Sequence, residues 1–173
     1  MEKNNLIFLC GFMGSGKTTH GRKLARLLGY RFIDLDKQIE QSENSSISDI
    51  FGYQGETYFR ETEAQQLRKI SVDTPTVVSL GGGTPCYYDN INWILAHGLL
   101  IYISLTDKAI CQRLMRSRKK RPLVQGKTET ELLAYVQQLL ATREPYYTQA
   151  HITVNGLSLK TEDLARQISQ PTR

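Results

Sequence analysis

The sequence predicts an α/β fold: a five-stranded parallel sheet with helices on both faces. Two observations carry this expectation. Five short apolar runs rich in β-branched residues alternate with longer stretches of helical periodicity, and the first run passes into a helix through a glycine-rich loop. Strand–helix alternation implies right-handed crossovers, hence parallel neighbours, with ligands held beyond the carboxyl ends of the strands.

The candidate strands lie at residues 6–10, 31–34, 76–80, 99–104 and 152–154. Helical spacing over 17–28 puts Leu24, Leu27 and Leu28 on one side, and over 129–147 it aligns Leu132, Leu133, Val136, Leu139 and Leu140. Two stretches interrupt the alternation. Residues 35–70 read as several helical segments without a strand. Residues 116–127 are polar and basic, with Pro122 and Gly126 as breakers. Both read as insertions over a site, the first binding a substrate and the second acting as a mobile lid that orders on ligand binding.

With 173 residues, 40% of them hydrophobic, the chain supports one core and is expected to form a single domain over 1–173. Three widely spaced cysteines, Cys10, Cys86 and Cys111, form no C-x-x-C pair, as expected of reduced thiols in a cytoplasmic protein. No apolar run reaches membrane-spanning length, so no membrane partner is expected. A net charge of +5 suits either nucleic acid or a pocket that collects several anionic groups. The densest basic cluster, Arg116 to Arg121, lacks interleaved aromatics, which argues against nucleic acid.

The strongest motif is Gly11-Phe12-Met13-Gly14-Ser15-Gly16-Lys17-Thr18, a G-x-x-x-x-G-K-[ST] phosphate loop placed directly between a predicted strand and a predicted helix. Loop amides and the helix N-terminus donate to phosphate oxygens, Lys17 adds a point charge, and Thr18 is placed to ligate magnesium. Gly14, Ser15, Gly16, Lys17, Thr18 and Thr19 are the candidate nucleotide-binding residues. Asp34 and Asp36 leave the second strand two residues apart, so an extended backbone would point both carboxylates the same way. A magnesium-nucleotide complex with an acceptor hydroxyl offers such a pair both a cation and a donor. The alternative is that Asp36 only caps a helix starting near Lys37.

Gly81-Gly82-Gly83 follows the third strand, where bare backbone lets a ligand approach; a flexible turn is the plainer explanation. Arg60 and Arg143 are explicable singly as surface charges, yet a guanidinium is well suited to grip a carboxylate. His20, His97 and His151 have no metal-ligand spacing and read as structural or surface residues.

Together these motifs resemble the shikimate kinase family, a branch of the nucleoside monophosphate kinase-like P-loop proteins. The likeness runs from the loop at 11–18 through Asp34 and Asp36, Ile50-Phe51-Gly52, Gly55-Glu56, Phe59-Arg60, the glycine run and Arg121-Pro122-Leu123 to Arg143-Glu144-Pro145-Tyr146-Tyr147. It implies a fold of the P-loop NTPase type and transfer of the γ-phosphoryl group of ATP to the 3-hydroxyl of shikimate, with one magnesium ion bound by Thr18 and Asp34. It further implies that Asp36, Arg60, Gly82 and Arg143 bind shikimate, with Phe51, Phe59 and Glu63 shaping the pocket. Arg113 would lie against adenine and Arg121 would reach the phosphates from the lid, making Lys17, Asp36 and Arg121 the catalytic set. ATP and shikimate are the expected partners of a monomer. A kinase for gluconate or a nucleoside monophosphate, and a nucleotide-binding switch with no acceptor, are the competing expectations.

Overall fold

The computed structural model describes residues 5–117 and 126–170. Five strands, β1 (Leu6–Cys10), β2 (Arg31–Asp34), β3 (Thr76–Ser79), β4 (Leu99–Ser104) and β5 (Ile152–Asn155), form one sheet in the order β2-β3-β1-β4-β5. All four pairings are parallel. The central strands β1 and β3 are buried throughout, as expected of near-continuous apolar runs covered on both faces, whereas edge strands β2 and β5 are partly exposed.

Helices cover both faces, as the alternation predicts. On one, Ile7, Leu9, Val77 and Ile101 pack with Leu24 and Ala25 of α1 (Lys17–Leu28) and with Leu164 and Ala165 of α8 (Thr161–Ser169). On the other, Leu6, Phe8, Val78 and Leu100 meet α2 (Leu35–Glu43), α4 (Gly55–Arg68), α5 (Asn90–His97) and Tyr147 of α7 (Glu129–Tyr147). A third cluster joins Phe12 and Leu105 to α6 (Asp107–Arg116) and to Leu132 and Val136 of α7. Leu27 is an exception to the predicted stripe at 45% exposed. The buried side of α1 runs instead through Lys17, Gly21, Leu24 and Ala25, because Gly21 must admit the Phe32 ring and leaves no room for a Cβ.

Residues 35–70 fold as three helices, α2, α3 (Ile47–Tyr53) and α4, with no strand, as expected. α7 starts on a capping box between Thr128 and Glu131 and carries Pro145 near its carboxyl end, so that Arg143 projects from a helix with a defined start. No helix among the described residues is long and apolar enough to cross a membrane. The segment expected to be a lid, residues 118–125 above all, lies outside the described residues, and Arg121 with it.

Candidate active site

The phosphate loop leaves β1 and turns into α1 at Gly16, whose φ of 102° lies in the left-handed region that glycine adopts freely. Lys17 is buried, its Nζ donating to the carbonyls of Gly11 at 2.8 Å and Phe12 at 3.0 Å. Ser15 Oγ is wholly buried and, among the described residues, meets no protein hydrogen-bond partner. A buried hydroxyl left without a protein partner in a phosphate loop is what a nucleotide phosphate would satisfy, so the loop fits the group its sequence implies. Arg113 reaches in from α6 and donates to the carbonyls of Gly14 at 3.2 Å, Ser15 at 3.0 Å and Gly156 at 2.9 Å. It thereby ties the loop to the β5–α8 connection.

At the mouth of the loop Thr18 Oγ1 donates to Asp34 Oδ2 at 2.8 Å, with Ser79 Oγ 3.5 Å from the threonine. The register of β2 against β3 pairs Asp34 with Ser79, which brings this third oxygen to the spot. Hard oxygen donors of this kind suit magnesium, so the residues present fit that ion. The sequence reading misses Ser79, because only strand order makes it a neighbour of Asp34.

The two aspartates are arranged differently from expectation. β2 ends at Asp34 and α2 begins at Leu35, so Asp36 sits in the first helical turn rather than two residues along a strand. The helix cap is Asp34, which accepts from Lys37 N at 3.4 Å; Asp36 is not the cap. A turn of helix carries Asp36 toward the glycine run instead, where its Oδ1 would stand 2.8 Å from a Cβ at Gly81.

That run is a wall of bare backbone at the carboxyl end of β3. A Cβ at Gly81 would also meet Glu63 Oε1 at 2.7 Å, one at Gly82 would meet Arg143 Nη1 at 3.0 Å, and one at Gly83 would meet Arg60 Nη1 at 2.8 Å. The glycines are therefore contact surfaces, not a plain flexible turn. Arg60 and Arg143 are 7% and 9% exposed, which removes their reading as surface charges. Burying a guanidinium is costly unless it is paired, and Arg60 is paired on two sides. Glu63 Oε2 accepts from Nη1 at 3.1 Å, and Glu56 Oε1 accepts from Nη2 at 3.1 Å and Nε at 3.2 Å. Phe51, Phe59 and Tyr87 surround Arg60, with Tyr87 the nearest ring at 4.2 Å from Cζ. Arg143 lies over Phe12.

Glu63 is fully buried and supports the pocket from beneath. Burial pushes its carboxyl above the ordinary range, and Asp36 adds to this, while Arg60 and the Thr84 hydroxyl, donating at 2.6 Å, pull it down. Tyr147, one turn after Arg143, donates its hydroxyl to the Gly82 carbonyl, and burial pushes that phenol up. The sequence gives no sign of these two roles: Thr84 only follows the glycine run, and Tyr147 only ends the motif that starts at Arg143. Asp36, Arg60, Gly82, Arg143 and Glu63 thus meet at one wall, with Phe51 and Phe59 around Arg60.

The description of one family, shikimate kinase, matches residues 13–172. The chain belongs to the shikimate kinase family. A shikimate kinase from Parabacteroides distasonis is 38% identical over 94% of both chains. The crystal structure of the shikimate kinase from Bacteroides thetaiotaomicron superposes with a TM-score of 0.87 at 36% identity, covering 94% of this chain and 95% of that one. The shikimate kinase from Acinetobacter baumannii in complex with shikimate superposes at 0.83 with 35% identity, covering 94% and 89%. Membership makes the chemistry ATP-dependent transfer of a phosphoryl group to an alcohol, on a P-loop fold.

Within this shikimate kinase fold the histidines are structural. His20 Nδ1 is hydrogen-bonded to Thr161 Oγ1 at 2.8 Å, His151 Nδ1 accepts from Leu100 N at 3.0 Å, and His97 stacks on Trp93. Among the described residues no group of His, Cys, Asp or Glu has the makings of a separate metal centre.

Proposed function

We propose that this site phosphorylates the 3-hydroxyl of shikimate, giving shikimate 3-phosphate and ADP. One observation carries the reading: two buried guanidiniums, Arg60 and Arg143, converge on the glycine wall beside Asp36, and the wall itself abuts the phosphate loop. A Cβ at Gly82 would stand 3.0 Å from Arg143 Nη1 and 3.6 Å from Met13 N. A carboxylated acceptor gripped by the arginines is therefore held against the loop that holds ATP.

Arg60 and Arg143 take the acceptor's carboxylate, and Phe51 and Phe59 fill the space around Arg60. Asp36 orients the acceptor hydroxyl and receives its proton as the new P–O bond forms. The γ-phosphoryl group leaves ADP in line, through a loose transition state whose charge spreads over its oxygens. Lys17, together with the loop amides of Gly14, Ser15, Gly16, Thr18 and Thr19, meets that charge. Positioning and electrostatics therefore do most of the catalysis. One magnesium ion, held through Thr18 and Asp34, would supply charge neutralisation on the phosphates. Arg113, by clamping Gly14 and Ser15, holds the loop in shape beside the nucleotide. A monomer remains the expected state, and the three unpaired cysteines suit the reducing cytoplasm.

The test is a coupled ADP-release assay with magnesium-ATP and equal concentrations of shikimate, gluconate, AMP, CMP or no acceptor. Stimulation by shikimate alone is expected, and stimulation by another acceptor alone would discard the substrate assignment. A second expectation concerns the metal. Asp34→Asn keeps a good helix cap and the fold, since asparagine caps as well as aspartate. It should raise the magnesium concentration for half-maximal rate by about tenfold or more. An unchanged magnesium titration would remove Asp34 from the metal site.

A further inference from the structure

Arg60 carries two carboxylates of very different standing. The Glu63 side chain is 0% exposed and also accepts from Thr84, so it is an anchor. The Glu56 side chain is 56% exposed. Its single oxygen Oε1 is forked between Arg60 Nε at 3.2 Å and Nη2 at 3.1 Å, and it also accepts the Tyr87 hydroxyl at 3.2 Å. Strong guanidinium–carboxylate pairs use two parallel bonds of roughly 2.7–2.9 Å. The Glu56 contact is longer, uses one oxygen and faces water, so it is easily given up.

Glu56 and Glu63 pair with Arg60, and Asp36 stands beside Glu63 at Gly81, so three carboxylates gather on the wall that carries the two arginines. A pocket of that composition gains little by adding a fourth negative charge. Exchange solves this: if an arriving carboxylate takes the place of Glu56, Arg60 stays paired throughout and the charge around it does not change. An acceptor without a carboxylate cannot make that exchange.

We infer that Glu56, braced by the Tyr87 hydroxyl, is a displaceable counter-ion that occupies the Nε–Nη2 edge of Arg60 until the carboxylate of the acceptor replaces it. Glu56 is thus a positioning residue that sets a threshold for anions. Small inorganic anions, too weakly held to evict it, are kept from Arg60. The acceptor's carboxylate, backed by Arg143 and Asp36, displaces it. The inference rests on the proposed acceptor carrying a carboxylate.

The test uses the wild-type chain, Glu56→Gln and Tyr87→Phe. For each, the shikimate Kd is measured by calorimetry without nucleotide, KM and kcat by steady-state assay, and competition against shikimate by titration with acetate and sulfate. Neutralising the counter-ion should lower Kd and KM for shikimate by about two- to fivefold, the range of a partly exposed charge pair. Acetate and sulfate should become stronger competitors by a similar factor. Tyr87→Phe keeps the ring over Arg60 but loses the hydroxyl, so it should shift the same quantities in the same direction by less. A Kd that rises or stays unchanged in Glu56→Gln, with anion competition also unmoved, overturns the inference and makes Glu56 a brace that orients Arg60. A wild-type chain that neither binds nor phosphorylates shikimate sinks the acceptor reading instead; direct calorimetric titration of acetate and sulfate then judges Glu56, tighter anion binding by Glu56→Gln than by wild type supporting the inference and equal binding overturning it.

Discussion

Replacing Asp36 by asparagine should lower kcat by about a hundredfold or more, the range for loss of a positioned proton acceptor, while ATP binding survives. Asp36 stands against Gly81 of the glycine wall, whereas the cradle for phosphate is built from the loop residues around Lys17. The amide keeps the size of the side chain but not its charge or its capacity to take a proton. The fold should tolerate the change, because Asp36 occupies the first turn of α2 and its favourable charge there contributes only about 0.3–1 kcal/mol. Steady-state kinetics with shikimate, together with calorimetric titration of a non-hydrolysable ATP analogue, check both halves. A turnover within about threefold of wild type would remove Asp36 from the chemistry.

Arg60→Leu should be the more damaging change to the molecule as a whole. It leaves Glu63 buried without its cation, and breaking a buried pair from one side costs about 3–5 kcal/mol of stability. Shikimate binding should be lost with it. The pH dependence follows from the direction of the Glu63 shift. Burial already raises this carboxyl in the wild-type protein, and removing the arginine that pulls it down raises it further. A group whose folded pKa lies above its unfolded value contributes most to stability below the unfolded value, and that contribution is lost as pH rises through the folded one. The gap between Arg60→Leu and wild type should therefore be largest near neutral pH and shrink as pH falls toward the ordinary carboxylate range. Denaturant melts at several pH values check this. Arg60→Leu/Glu63→Gln, which removes the stranded charge, should recover part of the loss at neutral pH. A gap that stays constant with pH would mean that Glu63 is not the source.

The order of strands and helices could be read from the chain because the signals are local. A run such as Ile7-Phe8-Leu9 is apolar without interruption only where both faces of a sheet are covered, and Gly16-Lys17-Thr18 announces a helix start by its own chemistry. Single positions were harder. Leu27 fits the helical period but falls outside the buried side, since the approach of Phe32 at Gly21 sets how α1 rotates on the sheet. The aspartate pair is visible in the sequence but its geometry is not, because whether the chain continues as strand or turns into helix after Asp34 depends on which residue caps. Arg60 and Arg143 could be named but not shown to be buried. Ser79, Thr84 and Tyr147 act through partners distant in sequence, and no spacing within the chain reveals those meetings.

Gly82 also works as a ruler. Arg143 Nη1 and the amide of Met13 both lie within 4 Å of the point where a Gly82 Cβ would stand, and Tyr147 pins the carbonyl of that residue in place. The gap between donor and acceptor compartments is thus set by the absence of a side chain at Gly82, a dimension that does not vary with rotamer. A methyl group added there would work as a spacer: each ligand could still find its own half of the site, but the reacting oxygens would be held apart by a fraction of the distance on which in-line transfer depends. Changes of acceptor preference are therefore better sought among the side chains around Arg60 than at Gly82.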